Sequence, residues 1–157
     1  SLTFVHTDTQ VRDQSATLFQ AYMKAIGITV NDKVTSDLGG TLSNFDFDII
    51  EFGFSGSPLL TQDVALWHSK SGNNFTNWSS PESDQLLDQV STELDAQKQA
   101  DLLNQQDAIM AKQFVTLALY QKPNLQVTTN QYTNVRDNNA GSFFTYNSQQ
   151  WGLANAQ

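Results

Sequence analysis

The first thirty residues constrain the fold of this chain more than any other stretch. Leu2–His6 alternates apolar and polar side chains, the period of a half-buried strand. Between Val11 and Ile26 the apolar residues Val11, Ala16, Leu18, Phe19, Tyr22, Met23 and Ile26 fall on a helical stripe, whose core face is expected around Leu18, Phe19 and Tyr22. Gly27 suits the left-handed position just past a helix end, and Ile28–Val30 opens a second strand. A strand, a crossover helix of this length and a second strand make parallel neighbours in one sheet.

A third strand is expected over Asp48–Phe54. Its core run (Phe47, Ile49, Ile50, Phe52) is closer to continuous than alternating, as in a strand covered on both faces. Leu38–Phe45 reads as a short helical turn before it. Ser79-Ser80-Pro81-Glu82 is a helix-start signal, with a hydroxyl cap, Pro in the first turn and acids following. Leu86, Leu87 and Val90 form the buried face of that helix. A break at Leu94–Asp95 precedes a longer helix over Ala96–Phe114, with Leu102, Leu103, Ala108, Ile109 and Met110 inward. Val115–Tyr120 and Leu125–Thr128 read as strands around a Gln121–Asn124 turn. The remainder is Asn/Gln-rich, with aromatic anchors at Tyr132, Phe143, Phe144, Tyr146 and Trp151. No repeat or linker divides residues 1–157, so a single domain is expected.

Composition excludes several partners. A net charge of −8 with eight scattered Lys and Arg residues argues against nucleic acid and against anionic membrane surfaces. No apolar run is long enough to span a bilayer. The absence of cysteine rules out disulfides and thiolate metal sites. His6 and His68, the only histidines, lie outside motif distance of other metal ligands, so neither metal nor cofactor is expected. The acids Asp84, Asp88, Glu93 and Asp95 lack calcium-loop spacing. A Ser57–His68–Asp63 triad assembles on paper, but no nucleophile-elbow sequence supports it and no enzyme activity is expected.

The third strand runs into Gly53-Phe54-Ser55-Gly56-Ser57, followed by Trp67, His68, Phe75 and Trp78 among Asn, Ser and Thr. Aromatic side chains beside uncharged hydrogen-bonding groups, just after a strand's carboxyl end, make a recognition surface for a small polar ligand. Phe54, Ser55, Gly56, Ser57, Trp67 and His68 are the candidate ligand-binding residues. Other readings of them are a turn built from Gly and Ser and a core anchor at Leu66-Trp67.

A set of ordered motifs adds to this. Ala25-Ile26-Gly27-Ile28-Thr29-Val30 is followed by Phe47-Asp48-Ile49-Ile50, then by Gly72-Asn73-Asn74-Phe75 through Trp78-Ser79-Ser80-Pro81 and Asp84-Gln85-Leu86-Leu87. After the long helix come Leu117-Ala118-Leu119-Tyr120-Gln121 and Asn147-Ser148-Gln149-Gln150-Trp151. In this order the chain resembles the carboxyl-terminal part of family 5 extracellular solute-binding proteins, the oligopeptide- and dipeptide-binding components of ABC importers. The resemblance implies an α/β chain, a single lobe of a type II periplasmic-binding-protein-like fold with a mixed sheet flanked by helices. It also implies an amino-terminal lobe in the same parent chain, ABC permease subunits as partners, and an extracytoplasmic, lipid-anchored parent protein. The chain opens on strand-like Ser1-Leu2-Thr3-Phe4 and is expected to be a piece of that longer protein.

Two departures bear on the ligand. Phe54 stands where many peptide binders of the family carry Trp, and Ser57 where many carry the Asp that grips a peptide's amino terminus. Glu51 stands where some relatives place a base. The ligand is then either a small peptide held mainly through its backbone or an oligosaccharide stacked on Phe54 and Trp67. The aromatic and Asn/Ser/Thr richness also admits a separate reading, a carbohydrate-binding protein or autonomous module using surface aromatics.

Overall fold

The computed structural model describes residues 1–54, 56–57, 59–123, 125–136 and 143–154. It has the α/β order expected: β1 (Leu2–Thr7), α1 (Gln10–Ala25), β2 (Val30–Thr35), α2 (Leu38–Asn44) and β3 (Ile49–Glu51). These are followed by α3 (Gln62–Trp67), α4 (Pro81–Thr92), α5 (Ala96–Lys112), β4 (Tyr132–Thr133), a 3₁₀ segment (Phe143–Gln150) and β5 (Gly152–Leu153). Contacts gather the chain into two compact units, Ser1–Phe54 with Phe75–Asn77, and Ser55–Asn74 with Trp78–Gln157.

The first unit is built on a parallel three-stranded sheet in the order β2-β1-β3. Leu2 pairs with Val30 and Phe4 with Ile49, so β1 is central and satisfies both its hydrogen-bonding edges. Helix α1 closes one face of this sheet. Phe4, Ala16 and Val30 are its buried centre, with Phe19, Met23, Ile28 and Ile49 packed against them. The spacing 16, 19, 23 is one helical stripe. The core face is therefore turned from the one expected: Phe19 is inward, whereas Leu18 and Tyr22 remain 56% and 68% exposed. Both stripes are apolar in sequence, and only one can face the sheet. Gly27, at φ 81°, ends the helix. The Gly27 and Ile28 N–H groups donate to the Lys24 and Met23 carbonyls at 3.1 and 2.9 Å, the paired bonds of a Schellman cap.

In the second unit α4 and α5 pack as an antiparallel pair around Leu87, Val90 and Leu103, with Val64, Trp67 and Leu102 against them. The start of α4 is capped as the sequence indicates, and the break read at Leu94–Asp95 turns out to supply a cap for α5. Ser80 Oγ accepts the Ser83 N–H ahead of Pro81, and Asp95 accepts the Gln97 and Lys98 N–H groups. Residues 115–120 and 125–128 correct the sequence reading. Among the described residues they join no ladder, and Leu117, Leu125 and Val127 are well exposed. Apolar alternation signals a surface that could pair, but a strand exists only where a neighbour supplies hydrogen bonds. The third strand is also shorter than expected, because Phe52 and its successors leave the ladder after Glu51.

Candidate functional site

The carboxyl edge of the parallel sheet sets the geometry. The connection through α1 places β2 on one side of β1, and the connection through α2 returns the chain to the other side as β3. The topology therefore switches between β1 and β3, and open α/β sheets take ligands outside the carboxyl ends of strands at such a point. The residues leaving β3 there are Phe52, Gly53 and Phe54. The Phe52 and Phe54 rings meet edge to face at 4.9 Å. Phe75, from far along the chain, completes the group: its ring lies 6.3 Å from Phe52 and 6.5 Å from Phe54, nearly parallel to the latter at 13°. Phe54 keeps 41% of its surface exposed despite these contacts. A Cβ built on Gly53 would meet nothing within 4 Å, so the backbone there faces open space.

Under the first turn of α1 lies a polar cluster. His6 near the end of β1 is fully buried, and its Nδ1 donates to the Thr7 carbonyl at 3.0 Å. Its Nε2 sits 2.9 Å from Asp32 Oδ1, and Asp13 Oδ1 lies 3.8 Å from Nδ1. Glu51 is in register with His6 on β3, and its buried Oε2 finds no protein partner. The Arg12 guanidinium donates to the Thr7 hydroxyl. This cluster brings together polar groups of β1, β2 and the start of α1. Among the described residues no group of three or more His, Cys, Asp or Glu side chains is arranged to hold a metal.

The other expected site residues lie in the second unit. Ser57 Oγ accepts the Leu59 N–H at 3.1 Å, a local hydroxyl turn. Trp67, at the end of α3, packs against the Leu87, Val90 and Leu103 core. His68 follows it and turns toward α4, with Nε2 3.4 Å from Asp88 Oδ1 and Nδ1 3.8 Å from Asp84 Oδ1. The Lys70 N–H donates to His68 Nδ1 at 3.1 Å, so the ring hydrogen of the neutral form sits on Nε2 and faces Asp88. Asp84 is the anchor of this loop, accepting the Ser69 N–H at 2.9 Å and the Ser69 hydroxyl. Burial pushes the Asp84 carboxyl upward. The two Ser69 hydrogen bonds, with His68 and Lys70 nearby, outweigh that and hold it below the ordinary carboxylate range. Asn74 is buried and donates to the Trp78 carbonyl at 2.7 Å, closing the next turn.

The candidate residues thus divide. Phe54 belongs to the first unit, Gly56, Ser57, Trp67 and His68 to the second, and Ser55 lies outside the described residues. Ser57 and His68 share no hydrogen bond, and each makes the local contacts described above. What the sequence reading missed is the joining of Phe52 and Phe75 to Phe54. Phe75 was visible as one aromatic in a polar stretch, but nothing in its spacing pairs it with the residues after β3.

No family model matches this chain, and no curated protein matches it. Solved structures do. The Escherichia coli murein tripeptide binding protein MppA superposes with a TM-score of 0.62 at 21% identity, over 73% of this chain and 23% of that one. A nickel ABC transporter protein from Bacillus halodurans gives 0.64 at 24% identity, over 73% and 25%. A periplasmic oligopeptide-binding protein from Borrelia burgdorferi gives 0.62 at 22% identity, over 73% and 24%. The chain therefore has the fold of one part of ABC-transporter substrate-binding proteins, and spans about a quarter of the length of the structures it matches.

Proposed function

We propose that this chain is the carboxyl-terminal lobe, or most of it, of an ABC importer's substrate-binding protein, and that its ligand is a small peptide. The observation that carries this is the superposition on several such proteins over 73% of the chain but only about a quarter of theirs. In this reading residues 1–157 form one wall of a cleft and an amino-terminal lobe supplies the other. Ligand shifts an open–closed equilibrium, and the closed form docks on the permease. The parent protein works outside the cytoplasm, at the cell surface or in the periplasm, held by a lipid anchor. Neither a metal nor a catalytic step takes part.

Of the candidate residues, Phe54 is the best placed, at the sheet's carboxyl edge and partly exposed. Gly56 and Ser57 would present backbone and hydroxyl groups to the ligand beside Ser55. Trp67 and His68 would line the cleft through whatever surface their packing leaves. With Ser57 in place of an acid, a peptide's backbone rather than its amino terminus carries the polar contacts. Mass spectrometry of ligand co-purifying with the full-length protein tests this, and short peptides are the expected finding. The isolated 157-residue chain should bind the same peptides much more weakly, because it lacks half the contacts. Micromolar or tighter binding by the isolated chain would refute the two-lobed account.

A further inference from the structure

Resting on the solute-binding reading above, we propose that Phe75 joins Phe54 and Phe52 in an aromatic subsite that receives a neutral aromatic side chain of the ligand. Three observations lead there. First is position: the subsite stands at the end of β3, beside the switch between β1 and β3 where sheets of this topology take ligands. Phe75–Asn77 joins this unit although the chain on both sides of it belongs to the other.

Second is ring geometry. Phe52 stands edge-on to both partners, at 73° to each, while Phe54 and Phe75 lie within 13° of parallel. A core phenylalanine of the same unit, Phe4, is 5% exposed, whereas Phe54 is 41% exposed. The group therefore offers ring surface outward, and an incoming ring can add an offset-stacked or edge-to-face contact to it.

Third is charge. The stretches 52–57 and 72–80 contain no Asp, Glu, Lys or Arg. The nearest acid in sequence, Glu51, is buried and in register with His6 on the ladder that Phe52 has left. An ionic ligand group would enter this subsite without a counter-charge and lose its hydration. A neutral planar group loses little hydration and gains dispersion and quadrupole contacts. Thr76 and Asn77, next to Phe75 in sequence and in the same unit, suit the peptide backbone beside such a side chain.

Isothermal titration of the full-length protein with Ala-Xaa-Ala tripeptides, where Xaa is Phe, Ala, Glu or Lys, tests the inference. The Phe peptide should bind about tenfold more tightly than the Ala peptide, the size of one added aromatic contact and its burial. The Glu and Lys peptides should bind more weakly than both. Phe75→Ala should erase the tenfold preference, bringing the Phe and Ala peptides to within about twofold of each other. Phe75→Tyr should retain the preference. If Phe75→Ala fails to fold, Phe75→Leu serves, since it keeps bulk and removes the ring. Equal affinity for Phe and Ala peptides, or a preference that survives Phe75→Leu, overturns the aromatic subsite and leaves the solute-binding reading standing. An uncharged oligosaccharide binding as tightly as the Phe peptide overturns the choice of an aromatic side chain. No binding of any peptide overturns the solute-binding reading, and the subsite with it.

Discussion

Replacing Asp84 with Ala should unlatch the loop between α3 and α4 from the helix that carries it. The wild-type carboxylate accepts two hydrogen bonds from Ser69, one from N–H at 2.9 Å and one from the hydroxyl, and lies 3.8 Å from His68 Nδ1. Hydrogen bonds to a charged group contribute about 1.5–3 kcal/mol when buried. Asp84 is 19% exposed, so water competes and the lower end applies to each. Its charge also sits in the first turn of α4, favourable to the helix dipole by about 0.3–1 kcal/mol. The truncation should therefore cost about 3 kcal/mol. Asp84→Asn keeps an acceptor for one Ser69 bond and should cost about half that. Urea unfolding followed by tryptophan fluorescence is the assay, because Trp67, Trp78 and Trp151 all lie in the second unit. With a slope of about 1–3 kcal/mol per M, the midpoint should fall by roughly 1–3 M. The Asp84 carboxyl is held below its ordinary 3.8 in the folded state. Its stabilisation is then complete above the unfolded value and fades as pH falls through the folded one. The gap between wild type and variant should be present at neutral pH and narrow in strong acid, as Asp84 protonates. A cost under about 1 kcal/mol at pH 7, or one that does not change on acidification, would refute this account of the loop.

Three further outcomes follow from the packing. Leu87 is fully buried at the α4–α5 contact, so Leu87→Ala should cost about 2.5–5 kcal/mol in the same unfolding assay. Gly27→Ala places a Cβ in open space but at φ 81°, so only the backbone is strained, and thermal melting should show a loss of about 1 kcal/mol. Burial raises the Asp63 carboxyl above its ordinary range, and the neighbouring Asp107 carboxylate raises it further. The ionised form therefore opposes folding at neutral pH. Asp63→Asn should melt higher than wild type at pH 7, and the advantage should shrink as pH falls through the raised value and vanish below 3.8, where wild-type Asp63 is protonated in both states.

Much of the architecture is legible before any coordinates. The helix starts at Ser80-Pro81 and Asp95 are written in residues that cap only there, and Gly27 marks the end of α1 because few other residues take a left-handed backbone. These are local signals, and their physics is local. Of the candidate residues, Phe54 is the one whose place after the third strand was legible in sequence. Trp67 and His68 share the polar-aromatic neighbourhood in sequence, yet Trp67 packs on the α4–α5 core and His68 on the α4 carboxylates. Whether an aromatic side chain faces core or solvent depends on which helix lies over it, and that is a long-range fact. The same limit explains 115–120 and 125–128, where alternation indicated strands and no partner is present among the described residues.

The sequence by itself determined the class of this protein: a strand, crossover helix and strand in succession, helices with their ends encoded, and a net acidic charge of −8. Those follow from periodicity, capping and net charge, which need no knowledge of distant contacts. The tertiary structure alone decided which stripe of α1 meets the sheet, that His6 is buried beside Asp32 and in register with Glu51, and that Phe75 closes on Phe52 and Phe54. Each of these joins residues far apart in the chain. Such pairings depend on strand order and on how whole elements pack, which local sequence does not encode.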